Sequence, residues 1–192
     1  MFAAISSDRD FRPRVLEKIP CNDGCLRMDV RTKNIPVDQA VRLQVQDLIA
    51  HYVDVIDQDR LDEWPELFTE KCHYRITSAE GYEENLPYGV IYADSRSMLR
   101  DRVSALREAN IYEAQRYRHV VGPIWVEGDS EMTVRARSHF LVIRIMHTGD
   151  TMLFASGVYI DRIDISRTPY QFIERVVVTD SHKVDTLLAI PL

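Results

Sequence analysis

Glycine is scarce in this 192-residue chain, and its scarcity removes several functions at once. The seven glycines form no G-x-G-x-x-G run and no P-loop, which excludes nucleotide binding built on such loops. Cysteine is scarcer: Cys21, Cys25 and Cys72 are an odd set that suggests no disulfide framework. Cys21 and Cys25 are spaced C-x3-C without a second pair, whereas a zinc or iron–sulfur site needs about four ligands at workable spacing. Cys72 and His73 are adjacent, but on a strand they face opposite sides. No apolar run approaches the roughly 18 residues of a membrane helix. The opening MFAAISSDRDFRPR lacks the basic and then apolar regions of a secretory signal. Positive charge is also short: 24 Lys and Arg against 30 Asp and Glu give a net charge of -6. Nucleic acid requires a basic face, so bulk binding to it is not expected. The expectation is a cytoplasmic protein with neither a membrane nor a nucleic-acid partner.

What is present is the composition of an ordinary soluble chain, 45% hydrophobic and 28% charged. This length predicts one domain and allows about two-thirds of the unfolded surface to be buried. The domain is expected over residues 36–192, behind an N-terminal arm of residues 1–35. The arm has no sustained period and carries Pro13, Pro20, Asn22, Asp23, Gly24 and Asn34. Its Phe2, Ile5, Phe11, Val15, Leu16 and Ile19 exceed what a solvated tail needs. Two readings stand: a flexible tail, or an arm lying on a neighbouring subunit.

Pro36 suits a first helical turn, and Val41, Val45, Leu48, Ile49, Tyr52, Val53 and Ile56 then share one face. Asp54, Asp57 and Asp59 end that helix. A shorter helix is predicted around Leu61 to Phe68, then a strand through EKCHYRIT with Tyr74 and Ile76 on one side. Residues 78–88 read as a polar loop and 90–93 as a short strand. Asp94 or Ser95 can cap a third helix, whose inward stripe is Met98, Leu99, Arg102, Val103 and Leu106, with the Arg102 head reaching out.

From Arg116 the period becomes two. Tyr117, His119, Val121, Pro123 and Trp125 form one strand face, and Arg118, Val120, Gly122, Ile124 and Val126 the other. Further strands are predicted over 133–146, 152–163 and 170–178, with turns at 127–130, 147–150 and 166–169. The closing LLAIPL prefers burial. Helices first and long antiparallel strands after predict an α+β fold, with helices on one face of a curved sheet. Such a sheet closing over helices forms a cone, the shape of the nuclear-transport-factor-2-like (NTF2-like) fold.

Candidate chemistry is thin. His119 and His139 fall on predicted strands and could serve as acid, base or ligand, but a hydrogen-bonded core or interface histidine is the commoner outcome. Asp54, Asp57 and Asp59 lack the glycine and terminal glutamate of a calcium loop. Ser104, Ser138 and Ser156 lie outside any G-x-S-x-G elbow. The arginines are denser than anything else. Arg96, Arg100 and Arg107 share a helix face, with Asp101, Glu108 and Glu113 as candidate ion-pair partners, and Arg116 and Arg118 share a strand face. Solvated pairs contribute little, whereas guanidinium forks are enriched at protein interfaces, so the set reads as a docking surface.

Four blocks carry a resemblance: WPELFTEKCHYRIT, YADSRSMLRDRVSALREANIYEAQRYRHVVG, LVIRIMHTGDTMLFASGVYIDRI and ERVVVTDSHKVDTLLAIPL. In content and order they resemble the small (beta) subunit of bacterial Rieske-type aromatic-ring-hydroxylating dioxygenases, over about residues 38–192. The resemblance implies the cone fold, a non-catalytic structural role and assembly with a large (alpha) subunit, typically as α3β3, with the beta chains associating as a trimer. It places the Rieske [2Fe-2S] cluster and the mononuclear Fe(II) in the large subunit and no cofactor in this chain. The assembly would draw electrons from NAD(P)H through a reductase and convert an aromatic carboxylate, such as terephthalate or a benzoate, to a cis-dihydrodiol.

No catalytic residue carries over. The residues expected at the subunit interface are Trp64, Tyr92, Arg96, Arg100, Arg116, Tyr117, Arg118 and His119. One rival is a stand-alone isomerase or dehydratase of the same fold, with Asp54, Tyr74, His119 and His139 as candidate acids or bases. Another is a binding protein that holds a small ligand in the cone. A filled interior separates the first reading from both rivals.

Overall fold

The computed structural model describes residues 36–87, 89–108, 115–181, 188 and 190–192. The expected N-terminal arm, Cys21, Cys25 and Glu113 lie outside the described residues. Helix α1 spans Gln39–Asp57 and buries Val45, Leu48, Ile49, Tyr52, Val55 and Ile56. Val41 and Val53, expected on that face, flank it half-buried. The helix stops where Asp59 takes φ +56°, a left-handed residue just past the C-cap Gln58. A 3-10 turn at Trp64–Leu67 then sends Leu61, Trp64, Leu67 and Phe68 into the core.

Strand β1 spans Phe68–Ser78. The segment expected to be all loop begins with a short helix, α2 (Ala79–Glu83), because the Ser78 side chain accepts the Gly81 N–H and caps it. Strand β2 (Ile91–Ala93) leads into α3 (Arg96–Glu108), which buries Leu99, Val103 and Leu106 while Met98 stays exposed. Four long strands follow: β3 (Gln115–Gly128), β4 (Thr133–Met146), β5 (Thr151–Asp164) and β6 (Gln171–Thr179).

All six strands form one sheet in the order β2-β1-β6-β5-β4-β3. The β1–β6 pair is parallel and the others are antiparallel. The helices cover one face, and the core lies between them and the sheet.

A bulge in β3 corrects the sequence reading. Between Val121 and Ile124 the register against β4 slips by one residue, at Gly122 and Pro123. Proline has no N–H for the ladder and is tolerated at such a slip. The extra residue reverses the faces: Tyr117 and His119 point inward, but beyond the bulge Val126 is buried and Trp125 is 51% exposed. A second slip, between Val142 and Ile143 against β5, turns Phe154 inward to stack on Tyr117 at 5.2 Å and leaves Leu153 outward.

Candidate subunit interface

The cone is packed around one ion pair. Asp161 and Arg175 oppose each other on β5 and β6. Arg175 donates from Nε and Nη2 to the two Asp161 oxygens, each at 2.7 Å, and neither side chain has exposed area. The guanidinium lies 3.9 Å from the Tyr52 ring centroid, 4.1 Å from that of Phe172 and 4.5 Å from that of Tyr159. Burial works against this cation, but the Asp161 charge and hydrogen bonds outweigh it and hold Arg175 above its usual range.

Aromatic rings fill the remaining space, with Phe140 stacked on Tyr159 at 4.3 Å and Trp64 edge-on to Tyr74 at 5.1 Å. Tyr52 and Tyr74 donate their hydroxyls to the Leu192 backbone oxygen at 2.6 and 3.1 Å. Leu188, Ile190 and Leu192 are buried, as LLAIPL suggested. Sequence reading singled out neither Asp161 nor Arg175. A signal existed for Asp161, which lies in step with inward Tyr159 and Ile163 on a period-two strand.

The rival acid–base set does not converge. Asp54 is at the surface in an ion pair with Arg60. Tyr74 is committed to Leu192, and His119 is buried against Asp57, Nδ1 to Oδ1 at 2.6 Å. His139 lies on the opposite sheet face, edge-on to the Trp125 ring at 5.6 Å. A cleft of about 260 Å³ opens beside α2, lined by Ile76, Leu86, Val90, Phe154, Leu188, Leu192 and small residues. Among the described residues that line it, none is an Asp, Glu, His, Cys, Lys, Arg or Tyr. Burial pushes the Cys72 thiol up to about 11, which keeps it protonated. Among the described residues, no three His, Cys, Asp or Glu side chains gather as metal ligands.

The expected interface set divides. Trp64, Tyr117 and His119 are 0%, 3% and 7% exposed and belong to this chain's own core, so they are corrected as direct docking residues. Their aromatic character reflected core packing. Arg96 turns inward and donates from Nε and Nη2 to the Phe68 carbonyl, with Nη1 2.6 Å from Glu70. Arg100 pairs with Glu66 and Arg107 with Asp59. The helix arginines therefore find acids on the preceding chain segment rather than Asp101 or Glu108, because α3 packs beside that segment. Arg102 sends its head inward to the Leu188 carbonyl at 2.9 Å, not outward. Tyr92, Arg100, Arg116 and Arg118 are exposed.

Both sheet edges are short or interrupted. β2 has only three residues. On β3, the Asp57 carboxylate accepts the His119 backbone N–H at 3.0 Å, and Pro123 offers none. The outer sheet face carries an exposed apolar patch. Val120 pairs with Leu141, and Ile143 with Leu153. Val120, Leu141, Leu153 and Trp125 are all largely exposed. An apolar patch rimmed by polar groups marks an interaction surface.

This chain belongs to the family of ring hydroxylating beta subunits, which it matches over residues 51–186. It is 44% identical over 150 residues to the terephthalate 1,2-dioxygenase terminal oxygenase component subunit beta 1 of Comamonas sp, covering 78% of this chain and 97% of that one. It is 32% identical over 160 residues to the anthranilate 1,2-dioxygenase small subunit of Burkholderia cepacia, covering 83% of this chain and 99% of that one. A solved beta subunit assigned to the aromatic-ring-hydroxylating dioxygenases, from Novosphingobium aromaticivorans, superposes with a TM-score of 0.74 at 34% identity, covering 80% of this chain and 98% of that one.

The expected family and α+β cone fold are the ones found. The chain is thus a beta subunit of a multicomponent oxygenase, and its family implies a large-subunit partner. The stand-alone enzyme and ligand-binding readings are not favoured. No helix among the described residues is long and apolar enough to cross a membrane.

Proposed function

We propose that this chain is the non-catalytic structural subunit of the oxygenase component of an aromatic-ring-hydroxylating dioxygenase. The observation that carries this reading is the filled cone: aromatic rings, the Asp161–Arg175 pair and Leu192 occupy the space where a stand-alone enzyme of this shape would need an open polar pocket. The Rieske [2Fe-2S] cluster and mononuclear Fe(II) belong to the large subunit, which supplies the redox chemistry. The assembly is α3β3 and cytoplasmic, and it draws electrons from NAD(P)H through a reductase. Its substrate is an aromatic carboxylate such as terephthalate or a benzoate, and its product a cis-dihydrodiol.

Within the assembly, residues 36–192 form the domain, preceded by an N-terminal arm over residues 1–35. Tyr92, Arg100, Arg116 and Arg118, the exposed members of the expected set, contact neighbouring subunits. The test is co-expression with a large subunit, followed by gel filtration and iron analysis of each peak. A single co-eluting complex is expected, with iron in proportion to the large subunit. Iron that follows this chain alone, or two chains that never co-elute, would overturn the reading.

A further inference from the structure

The cleft beside α2 combines apolar walls with one hydroxyl that has nothing to bond. Ile76, Leu86, Val90, Phe154, Leu188 and Leu192 form the walls of this space of about 260 Å³. Phe154 is a firm wall, stacked on Tyr117 at 5.2 Å with the Arg144 guanidinium 4.7 Å from its ring centroid. Thr77, Ser78, Ser156 and Thr179 also line the cleft. Three of these hydroxyls have partners: Ser78 accepts the Gly81 N–H, Ser156 donates to Asp180 at 2.6 Å, and Thr179 donates to the Thr77 and Ser181 carbonyls. Thr77 differs. It is 3% exposed, and its hydroxyl makes no hydrogen bond among the described residues. Gly81 keeps that hydroxyl open, because a methyl group there would stand 2.8 Å from Thr77 Oγ1. A buried hydroxyl without a partner carries a desolvation cost that a bound group can relieve.

We infer that this cleft binds an uncharged single-ring phenol, with Thr77 as the hydrogen-bond partner of its hydroxyl. Size sets the ring count. An apolar cavity of about 150 Å³ takes benzene, and this cleft is larger by room for a substituent. Charge sets the substituent. Among the described residues that line the cleft there is no Lys, Arg or His, so a carboxylate would lose its hydration with no cation in return. Asp180, behind Ser156, adds negative charge that disfavours an anion further. A ring without a hydroxyl would leave Thr77 unbonded. The ligand would touch Ile76 and Phe154 on the sheet and Leu188 and Leu192 on the C-terminal segment, tying that segment to the sheet. The site supplies no acid or base, so it adds a ligand to the subunit and leaves its structural role as it is.

The experiment is titration of the full chain with phenol, toluene and benzoate, read from amide chemical shifts. Phenol should saturate with a dissociation constant of about 1 mM, the range open to so small a ligand. Toluene should bind about fivefold more weakly for want of the hydrogen bond, and benzoate about tenfold more weakly. The shifts should centre on residues 76–81 and 154–156. Thr77→Val keeps the side-chain shape and removes the hydroxyl. It should erase the advantage of phenol over toluene while toluene binds at least as well as before, a split that a general loosening of the cleft would not give. Gly81→Ala sets a methyl group against the hydroxyl and should weaken phenol about tenfold. Alanine favours a helix more than glycine, so α2 is kept. Circular dichroism checks both folds, and if Thr77→Val does not fold, Gly81→Ala and the ranking of the three probes decide. Absence of saturable binding, benzoate binding as tightly as phenol, shifts centred elsewhere, a folded Thr77→Val that retains the phenol advantage, or a Gly81→Ala chain that binds phenol normally would each overturn the inference.

Discussion

The carboxylate of Asp57 holds His119 at two points: Oδ1 lies 2.6 Å from the ring Nδ1, and Oδ2 accepts the backbone N–H at 3.0 Å. Asp57 ends α1 and His119 lies on the edge strand β3, so one side chain ties the helix terminus to the sheet. Both side chains are shielded, at 4% and 0% exposure. Asp57→Ala should cost about 3 kcal/mol, because it strands two donors away from water. Asp57→Asn keeps one acceptor oxygen and should cost about half as much. Urea unfolding of the three proteins measures both. Equal costs would show that the contact which asparagine retains contributes nothing.

The limits of the sequence follow from where its signals are local. The face of α1 and the strands β3 to β6 were legible because their apolar periods of 3.6 and two persist over many residues. Gly122 and Pro123 within a strand are a bulge signal. Unbroken alternation would place Trp125 on the His119 face, and the register slip there moves it to the other. The five residues of α2 are too few to show a period, and only the Ser78 cap announces them. The arginines of α3 were visible, but their partners were not. Glu66 and Arg100 are 34 positions apart, and Asp59 and Arg107 are 48. No local rule reaches across such separations. The pairing of Asp161 with Arg175 depends on the β5–β6 register, which the hairpin geometry sets and the sequence reading left open.

The Asp161–Arg175 pair should show strong coupling. Removing one partner leaves a buried, uncompensated charge, so Arg175→Met or Asp161→Leu alone should cost about 3–5 kcal/mol. The double replacement removes both charges and should recover much of that loss, since a buried pair exchanged for apolar side chains is often close to neutral. A double-mutant cycle by chemical denaturation gives the coupling energy. If the double variant is as unstable as the sum of the singles, the guanidinium contributes chiefly through its stacking on Tyr52, Tyr159 and Phe172.

Asp129 should shape the acid limb of stability. It accepts from Thr133 Oγ1 at 3.0 Å, Arg135 Nε at 2.9 Å and Arg162 Nε at 2.8 Å. Partial burial would raise its carboxyl, but the Thr133 hydroxyl and then the two guanidinium groups outweigh it and hold it below the usual carboxylate range. A depressed folded value means that the contribution is complete above the unfolded value of about 3.9 and is lost as pH falls through the folded one. Asp129→Asn should therefore be less stable at neutral pH and should approach the unaltered chain in strong acid. Urea midpoints measured from neutral pH down into that range test the sign. A gap that widens on acidification would contradict it.

Arg96 and Arg100 lie one turn apart on α3 and should differ sharply in worth. Arg96 is 11% exposed at its side chain and caps the Phe68 carbonyl with two N–H groups, while Arg100 is 52% exposed and, among the described residues, hydrogen-bonds to Glu66 alone. A charged hydrogen bond sheltered from solvent contributes about 1.5–3 kcal/mol, so Arg96→Ala should cost about 2 kcal/mol. An exposed pair contributes about 0–1 kcal/mol, so Arg100→Ala should change stability by less than about 0.5 kcal/mol. Arg96→Lys should not rescue the loss, since an ammonium cannot reproduce the planar fork that holds one carbonyl from two sides. Arg100→Ala then becomes the informative variant for assembly. Exposed and nearly neutral for folding, it should weaken binding in the oxygenase complex if Arg100 contacts a neighbouring subunit, read as earlier dissociation on gel filtration at rising salt. Unchanged salt resistance would remove Arg100 from the interface and leave it as a surface tie to Glu66.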